Sequence, residues 1–193
     1  PENIRYHEFI ITGPEDSPYD SGCFHFRMYN PSAYPNTSPF VSMTTTGHGS
    51  VRFNPNLYAD GKVCLSILGT WRGQAGESWI PGVSSMLQVM ISIQSLVLIS
   101  EPYFNEPGYE SSRGTDKGNK LSTEYNQKVR FNCMKWAMID VIKNPVPGFE
   151  SMIKKHFSIK APHIKQVCQT WINEAPDNNK SEYQKLYLSL IHI

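Results

Sequence analysis

From Tyr6 to Thr44 apolar and polar positions alternate with the two-residue period of a half-buried strand: Tyr6 to Thr12, then Phe24, Phe26 and Met28, then Phe40 to Thr44. Between these runs lie Gly13-Pro14-Glu15-Asp16-Ser17-Pro18-Tyr19 and Asn30-Pro31-Ser32-Ala33-Tyr34-Pro35. Their prolines fix φ, and their Gly and Asp residues favour sharp reversals. The spacing predicts an antiparallel meander of about four strands, with Val51-Arg52-Phe53 able to add a short one. An irregular segment, Asn54 to Thr70, follows.

At Ser85 the period changes to that of a helix. Ser85 and Gln88 form a capping box, and Met86, Val89, Met90, Ile93, Leu96 and Val97 recur at three and four, while Leu87, Ile91 and Leu98 fill another side. A helix apolar on most faces is expected to lie in the core across the sheet. A second helix runs through Leu121, Tyr125, Val129, Asn132, Trp136 and Ile139 and ends before Asn144-Pro145. Two shorter helices are expected next, one through Phe149, Met152, Ile153, His156 and Phe157. The other passes through Ile164, Val167, Cys168, Trp171 and Ile172, with Pro162 in its first turn. Asp177-Asn178-Asn179-Lys180 reads as a linker. The pattern thus predicts an α+β fold, with residues 1–175 as one domain and 176–193 as a C-terminal tail.

A chain of 193 residues with 39% hydrophobic side chains suits a single core. The formal charge of +1 is spread evenly, which argues against a nucleic-acid partner. Val89 to Ile99, interrupted by Ser92, Gln94 and Ser95, falls short of the roughly 20 residues that cross a bilayer, so no membrane segment is expected. Pro1 to His7 lacks the basic start and apolar run of a secretory signal, and a cytoplasmic location is the expectation. Cys23, Cys64, Cys133 and Cys168 show no paired spacing, which predicts free thiols and no metal site. Three of them fall in apolar periodic segments; Cys64 does not.

The segment Asn54-Pro55-Asn56-Leu57-Tyr58-Ala59-Asp60-Gly61-Lys62-Val63-Cys64-Leu65-Ser66-Ile67-Leu68 resembles the ubiquitin-conjugating enzymes. In that family an asparagine stands eight positions before the active cysteine, as Asn56 stands before Cys64. Gly13-Pro14, Ser17-Pro18-Tyr19, Gly22, Tyr34-Pro35, Pro39, Trp79, Pro102 and Pro107 agree in order. The run Pro102 to Glu110, Asn54 in place of the family's histidine, and the longer loop Thr70 to Ser78 look like the large BRUCE/Apollon-like and plant phosphate-response subset, which unites conjugating and ligase activity. The resemblance implies the UBC fold, ubiquitin held as a thioester on Cys64, and transfer to a lysine of a substrate protein after loading by an activating enzyme. No cofactor is implied.

Elementary chemistry agrees with those roles. A thiol with its ordinary pKa near 8.5 is only about 3% thiolate at neutral pH, yet thiol–thioester exchange is nearly isoenergetic and needs no strong base. No histidine lies within fifteen residues of Cys64 on either side, which weighs against a Cys-His hydrolase. Asn56 carries an amide able to stabilise an oxyanion. Asn54 and Pro55 are expected to shape the turn. By family position Tyr58 and Glu106 would desolvate and orient the incoming lysine. Trp71, in the inserted loop, and Leu65, beside the nucleophile, are candidate contacts for ubiquitin or substrate.

Two departures bear on partners. The helix that usually opens the family is missing or lies upstream. Asn36 and Ile80-Pro81-Gly82 replace residues that RING ligases grip, so ordinary RING partners are doubtful and self-sufficient ligase behaviour within a larger protein gains weight. A non-catalytic ubiquitin-binding relative, a thiol hydrolase and a purely structural module are the competing readings.

Overall fold

The computed structural model describes residues 4–73 and 76–192. Strands β1 (Tyr6–Thr12), β2 (Cys23–Tyr29) and β3 (Phe40–Met43) form one antiparallel sheet in the order β1-β2-β3. Tyr6 pairs with Tyr29 and Thr12 with Cys23. That register turns Phe9, Ile11, Phe24, Phe26, Met28 and Met43 to the core, as the period of two requires. Phe9 and Phe26, directly opposite, stack with ring centroids 5.3 Å apart.

Among the described residues the sheet has three strands, one fewer than the pattern suggested. Val51-Arg52-Phe53 is not a strand, and the segment after it contributes only the isolated bridges Ser42↔Lys62, Asn54↔Leu57 and Leu57↔Val63. Pro55 cannot donate to a ladder, and Asn54 uses its side chain where a strand would use its backbone.

Helix α1 (Met86–Ser92) opens on the expected capping box, Ser85 Oγ accepting from Gln88 N while the Gln88 side chain accepts from Ser85 N. It widens into a π-helical turn over Ile93–Val97, closed by Leu98 N donating to Ile93 O. Only one face is buried. Val89, Ile93 and Val97 sit in the core, whereas Leu87, Ile91 and Leu96 are 63%, 52% and 60% exposed. The expectation of a helix buried on most faces is therefore corrected to an amphipathic helix with an exposed apolar stripe.

Helix α2 (Asp116–Asn132) is capped by Thr115, whose hydroxyl accepts from Gly118 N at 3.1 Å. It continues through a π-helical stretch, Cys133–Asp140, into α3 (Val141–Lys143) and stops before Pro145. The two short helices expected after it are a single helix, α4 (Glu150–Glu174), with Pro162 inside. Proline there removes the N–H that would bond Ser158 O, but Ser158 is exposed, so water can meet that carbonyl. The buried row Ile153, Phe157, Ile164, Cys168 and Trp171 carries the helix across.

Asp177-Asn178-Asn179-Lys180 is no linker: it is the first turn of α5 (Asp177–Ile191). This helix lays Tyr183, Leu186, Tyr187 and Leu190 on the core, and the Tyr183 hydroxyl donates to the main-chain carbonyl of Gln127 in α2. Among the described residues no helix is long and apolar enough to cross a membrane, and no group of three or more His, Cys, Asp or Glu is arranged to hold a metal ion.

Candidate active site around Cys64

The loop that carries Cys64 is pinned to the open end of the π-helical turn that follows α1. The last carbonyls of a helix lack intrahelical donors, and here two asparagine side chains supply them. Asn54, fully buried, donates Nδ2 to Val97 O at 2.7 Å and to the Tyr19 hydroxyl at 3.2 Å. Asn105 donates to Leu96 O at 3.0 Å and reaches Asn54 Oδ1 at 3.4 Å. Asn54 Oδ1 also accepts from Asn56 N at 2.8 Å, and Tyr19 passes its own proton to Phe53 O at 2.9 Å. With every polar atom of its side chain engaged, Asn54 has the architecture of a turn-former, and Pro55 lies beside it with its carbonyl taken by Arg52 at 2.6 Å.

Asn56 grips Cys64 at two points. Its carbonyl accepts from Cys64 N at 2.9 Å, and its Nδ2 donates to Cys64 O at 2.8 Å. The intervening chain reverses through Tyr58 and Gly61, Gly61 N donating to Tyr58 O at 3.0 Å. Gly61 has a φ of +90°, and a Cβ there would stand 2.6 Å from Met43 O, so only glycine fits. After Cys64, Thr70 ties the loop: its hydroxyl donates to Val63 O at 2.7 Å and accepts from Leu65 N at 3.0 Å.

Cys64 itself is only 2% exposed. Burial raises its thiol above the ordinary range, while the charges of Lys62 and Arg52 pull it down and Asp60 pushes it up. None of these groups is a histidine. A thiol of this kind is not a pre-formed thiolate, and it lacks the base of a Cys-His hydrolase. All four cysteines are free and buried.

The structure brings Tyr58 and Glu106 together through a residue that sequence reasoning overlooked. Arg52 lays its guanidinium carbon 4.3 Å from the centre of the Tyr58 ring and its Nη2 3.4 Å from Glu106 Oε2. Glu106 follows the 3₁₀ turn Pro102–Asn105, which Asn105 anchors to Asn54. Lys62 Nζ lies 5.6 Å from the same ring. No sequence signal marks Arg52, because its partners stand six and 54 positions away.

Leu65, expected as a contact residue, is 5% exposed and belongs to the core, which corrects that reading. Trp71 stands at the surface, 36% exposed, in the loop Thr70 to Ser78, of which Gln74 and Ala75 lie outside the described residues. Trp79 anchors the far side of this loop, donating Nε1 to Pro35 O at 2.7 Å beside the Tyr34 ring.

The sequence model described as ubiquitin-conjugating enzyme matches residues 1–133, and the chain belongs to that family. It is 99% identical over 191 residues to the "Probable ubiquitin-conjugating enzyme E2 R521" of Acanthamoeba polyphaga mimivirus, covering 99% of this chain and 13% of that protein. It is 54% identical over 171 residues to the Homo sapiens "Dual E2 ubiquitin-conjugating enzyme/E3 ubiquitin-protein ligase BIRC6", covering 89% of this chain and 4% of that protein. Similarity to the Arabidopsis thaliana "Probable ubiquitin-conjugating enzyme E2 26" is 42% over 167 residues, covering 86% of this chain and 30% of that protein. The chain thus spans less than a third of each of these relatives.

Proposed function

We propose that this chain accepts ubiquitin from an ATP-driven activating enzyme as a thioester on Cys64 and transfers it to a lysine of a substrate protein. The observation that carries the reading is the double hydrogen bond by which Asn56 fixes Cys64. In loading, the Cys64 sulfur attacks the carbonyl carbon of the incoming thioester, the activating enzyme's thiolate leaves, and the Cys64 proton ends on that thiolate. In discharge, the neutral amine of a lysine attacks the same carbon. The C–S bond breaks, Cys64 departs as thiolate, the surplus amine proton passes to solvent, and an isopeptide bond remains.

Asn56 serves both steps. One Nδ2 hydrogen is committed to Cys64 O, and the second is available to the oxyanion that develops beside it. Tyr58 supplies an apolar face that desolvates the acceptor lysine, and Glu106 orients its ammonium before the proton is lost. Asn54 and Pro55 hold the turn. Trp71 and the exposed stripe Leu87, Ile91 and Leu96 offer apolar surface suited to a protein partner.

The likeness to the BIRC6 relative supports a role as its own ligase within a larger protein, and Asn36 and Ile80 at the exposed ends of their loops support weak dependence on ordinary RING partners. Four unpaired thiols fit a reducing compartment, the cytoplasm.

The test is loading with activating enzyme, ATP and ubiquitin on wild type, Cys64→Ala and Cys64→Ser, read on gels with and without reductant. A reducible adduct that vanishes in the alanine variant and becomes a reductant-stable ester in the serine variant is expected. Absence of any adduct on the wild-type chain would turn the reading toward a non-catalytic ubiquitin-binding module.

A further inference from the structure

The ring and the carboxylate that would receive an acceptor lysine already hold a cation. Arg52 covers a face of Tyr58 at 4.3 Å, faces Glu106 at 3.4 Å and donates to Pro55 O at 2.6 Å. Lys62 adds a second positive charge 5.6 Å from the same ring. Asp60, the other carboxylate nearby, accepts from the main-chain N of Lys62 at 2.9 Å. A lysine arriving alone therefore meets like charge and a ring face already covered, and it finds the Glu106 carboxylate shared with Arg52.

The hold of Glu106 on Arg52 is nonetheless light. Its side chain is 41% exposed and that of Glu106 37%, and an ion pair so open to water contributes little. A guanidinium exchanges one carboxylate for another readily and prefers the one that offers two oxygens at once. An acceptor bearing Asp or Glu beside its lysine would supply that alternative. Arg52 would swing onto it, leaving the Tyr58 face and Glu106 to the lysine.

We propose that Arg52 is a specificity-determining residue of this site: it occupies Tyr58 and Glu106 until an acceptor carboxylate draws it away, so that lysines flanked by acidic residues are favoured. The inference rests on the reading of Cys64 as the thioester-bearing residue. Selectivity arises from the obstacle set against the wrong acceptor as much as from attraction to the right one.

The experiment is single-turnover discharge of ubiquitin from the loaded chain, without added ligase, onto three peptides whose central lysine is flanked by Asp, Gly or Arg. Wild type should favour the Asp peptide over the Gly peptide by about fivefold, the size of one exposed charge pair. The ratio should shrink as salt is raised. Arg52→Glu should reverse the order, favouring the Arg peptide, an outcome that a merely structural role for Arg52 would not produce. Arg52→Lys should keep the order with a smaller ratio, because an ammonium lacks the two-pronged geometry. Thermal melts of both variants establish that they are folded.

Equal ratios in wild type and Arg52→Glu, or a uniform slowing of all three peptides, would overturn the inference while leaving the proposed function in place. Failure of the wild-type chain to form any Cys64 thioester would instead remove the proposed function, and this inference with it.

Discussion

Asn56 and Cys64 are joined twice, main-chain N to carbonyl at 2.9 Å and side-chain amide to carbonyl at 2.8 Å. The amide thus orients the backbone of Cys64 in the resting state and still has one N–H to give. Asn56→Ala should lower discharge to lysine by about 10²- to 10³-fold, the effect of removing an oxyanion donor. Loading should fall far less, since thiol exchange passes through a better-matched leaving group. Asn56→Asp, which replaces the donor with a second acceptor facing Cys64 O, should impair both steps. Single-turnover rates for loading and discharge measure the two separately. An alanine variant that discharges at the wild-type rate would confine Asn56 to the turn.

Asn54 is expected to matter for stability and not for chemistry. Asn54→Ala would leave Val97 O and Asn56 N without their buried partners. At about 1–3 kcal/mol for each of these two groups left unsatisfied, an overall loss of about 2–6 kcal/mol is expected. Urea unfolding with an unchanged m-value reads this directly. A loss below about 1 kcal/mol would mean that water enters behind the turn and replaces the side chain.

The Cys64 thiol is raised by burial and lowered by Lys62 and Arg52. Its thiolate fraction at neutral pH is therefore smaller than that of a free cysteine, and alkylation by iodoacetamide should climb with pH along a curve displaced upward from the ordinary midpoint near 8.5. Lys62→Gln removes a stabilising cation and should displace the curve further up. Asp60→Asn removes a repelling charge and should bring it down. A midpoint well below 7 would contradict the geometry and favour the hydrolase reading.

The local turn around Cys64 was legible where it depends on short spacing. Asn54, Pro55, Asn56 and Cys64 lie within eleven consecutive positions, and the bonds among them are local. The capping box at Ser85 and Gln88 was equally readable, since both partners are three residues apart. What escaped was contact across distance. Arg52 looks like any exposed arginine until the fold brings Glu106 to it. Its place beside Cys64 put Leu65 at a partner surface and hydrophobicity put Leu87, Ile91 and Leu96 in the core, and the structure reverses both. Pro162 was read as a helix start, because a rule about backbone donors takes no account of a buried row strong enough to carry α4 through it.

Helix α5 was missed for a different reason, and it yields the last prediction. Tyr183, Leu186, Tyr187 and Leu190 stand at the spacing of one helical face, but Asp177-Asn178-Asn179, poor residues for a helix interior, dominate the opening of the segment. Those residues suit a first turn, where Asp177 meets the positive end of the helix. Tyr183 is 1% exposed, packs 5.3 Å from the Phe131 ring and donates to Gln127 O. Tyr183→Phe should cost about 1 kcal/mol, the value of the hydrogen bond. Tyr183→Ala, which also empties the space of a buried ring, should cost about 3–5 kcal/mol. If α5 is integral to the core, both losses appear in a single cooperative urea transition. If Tyr183→Ala instead leaves the main transition unmoved and only adds protease cleavage within 177–191, the helix is a detachable appendage and the core ends with α4.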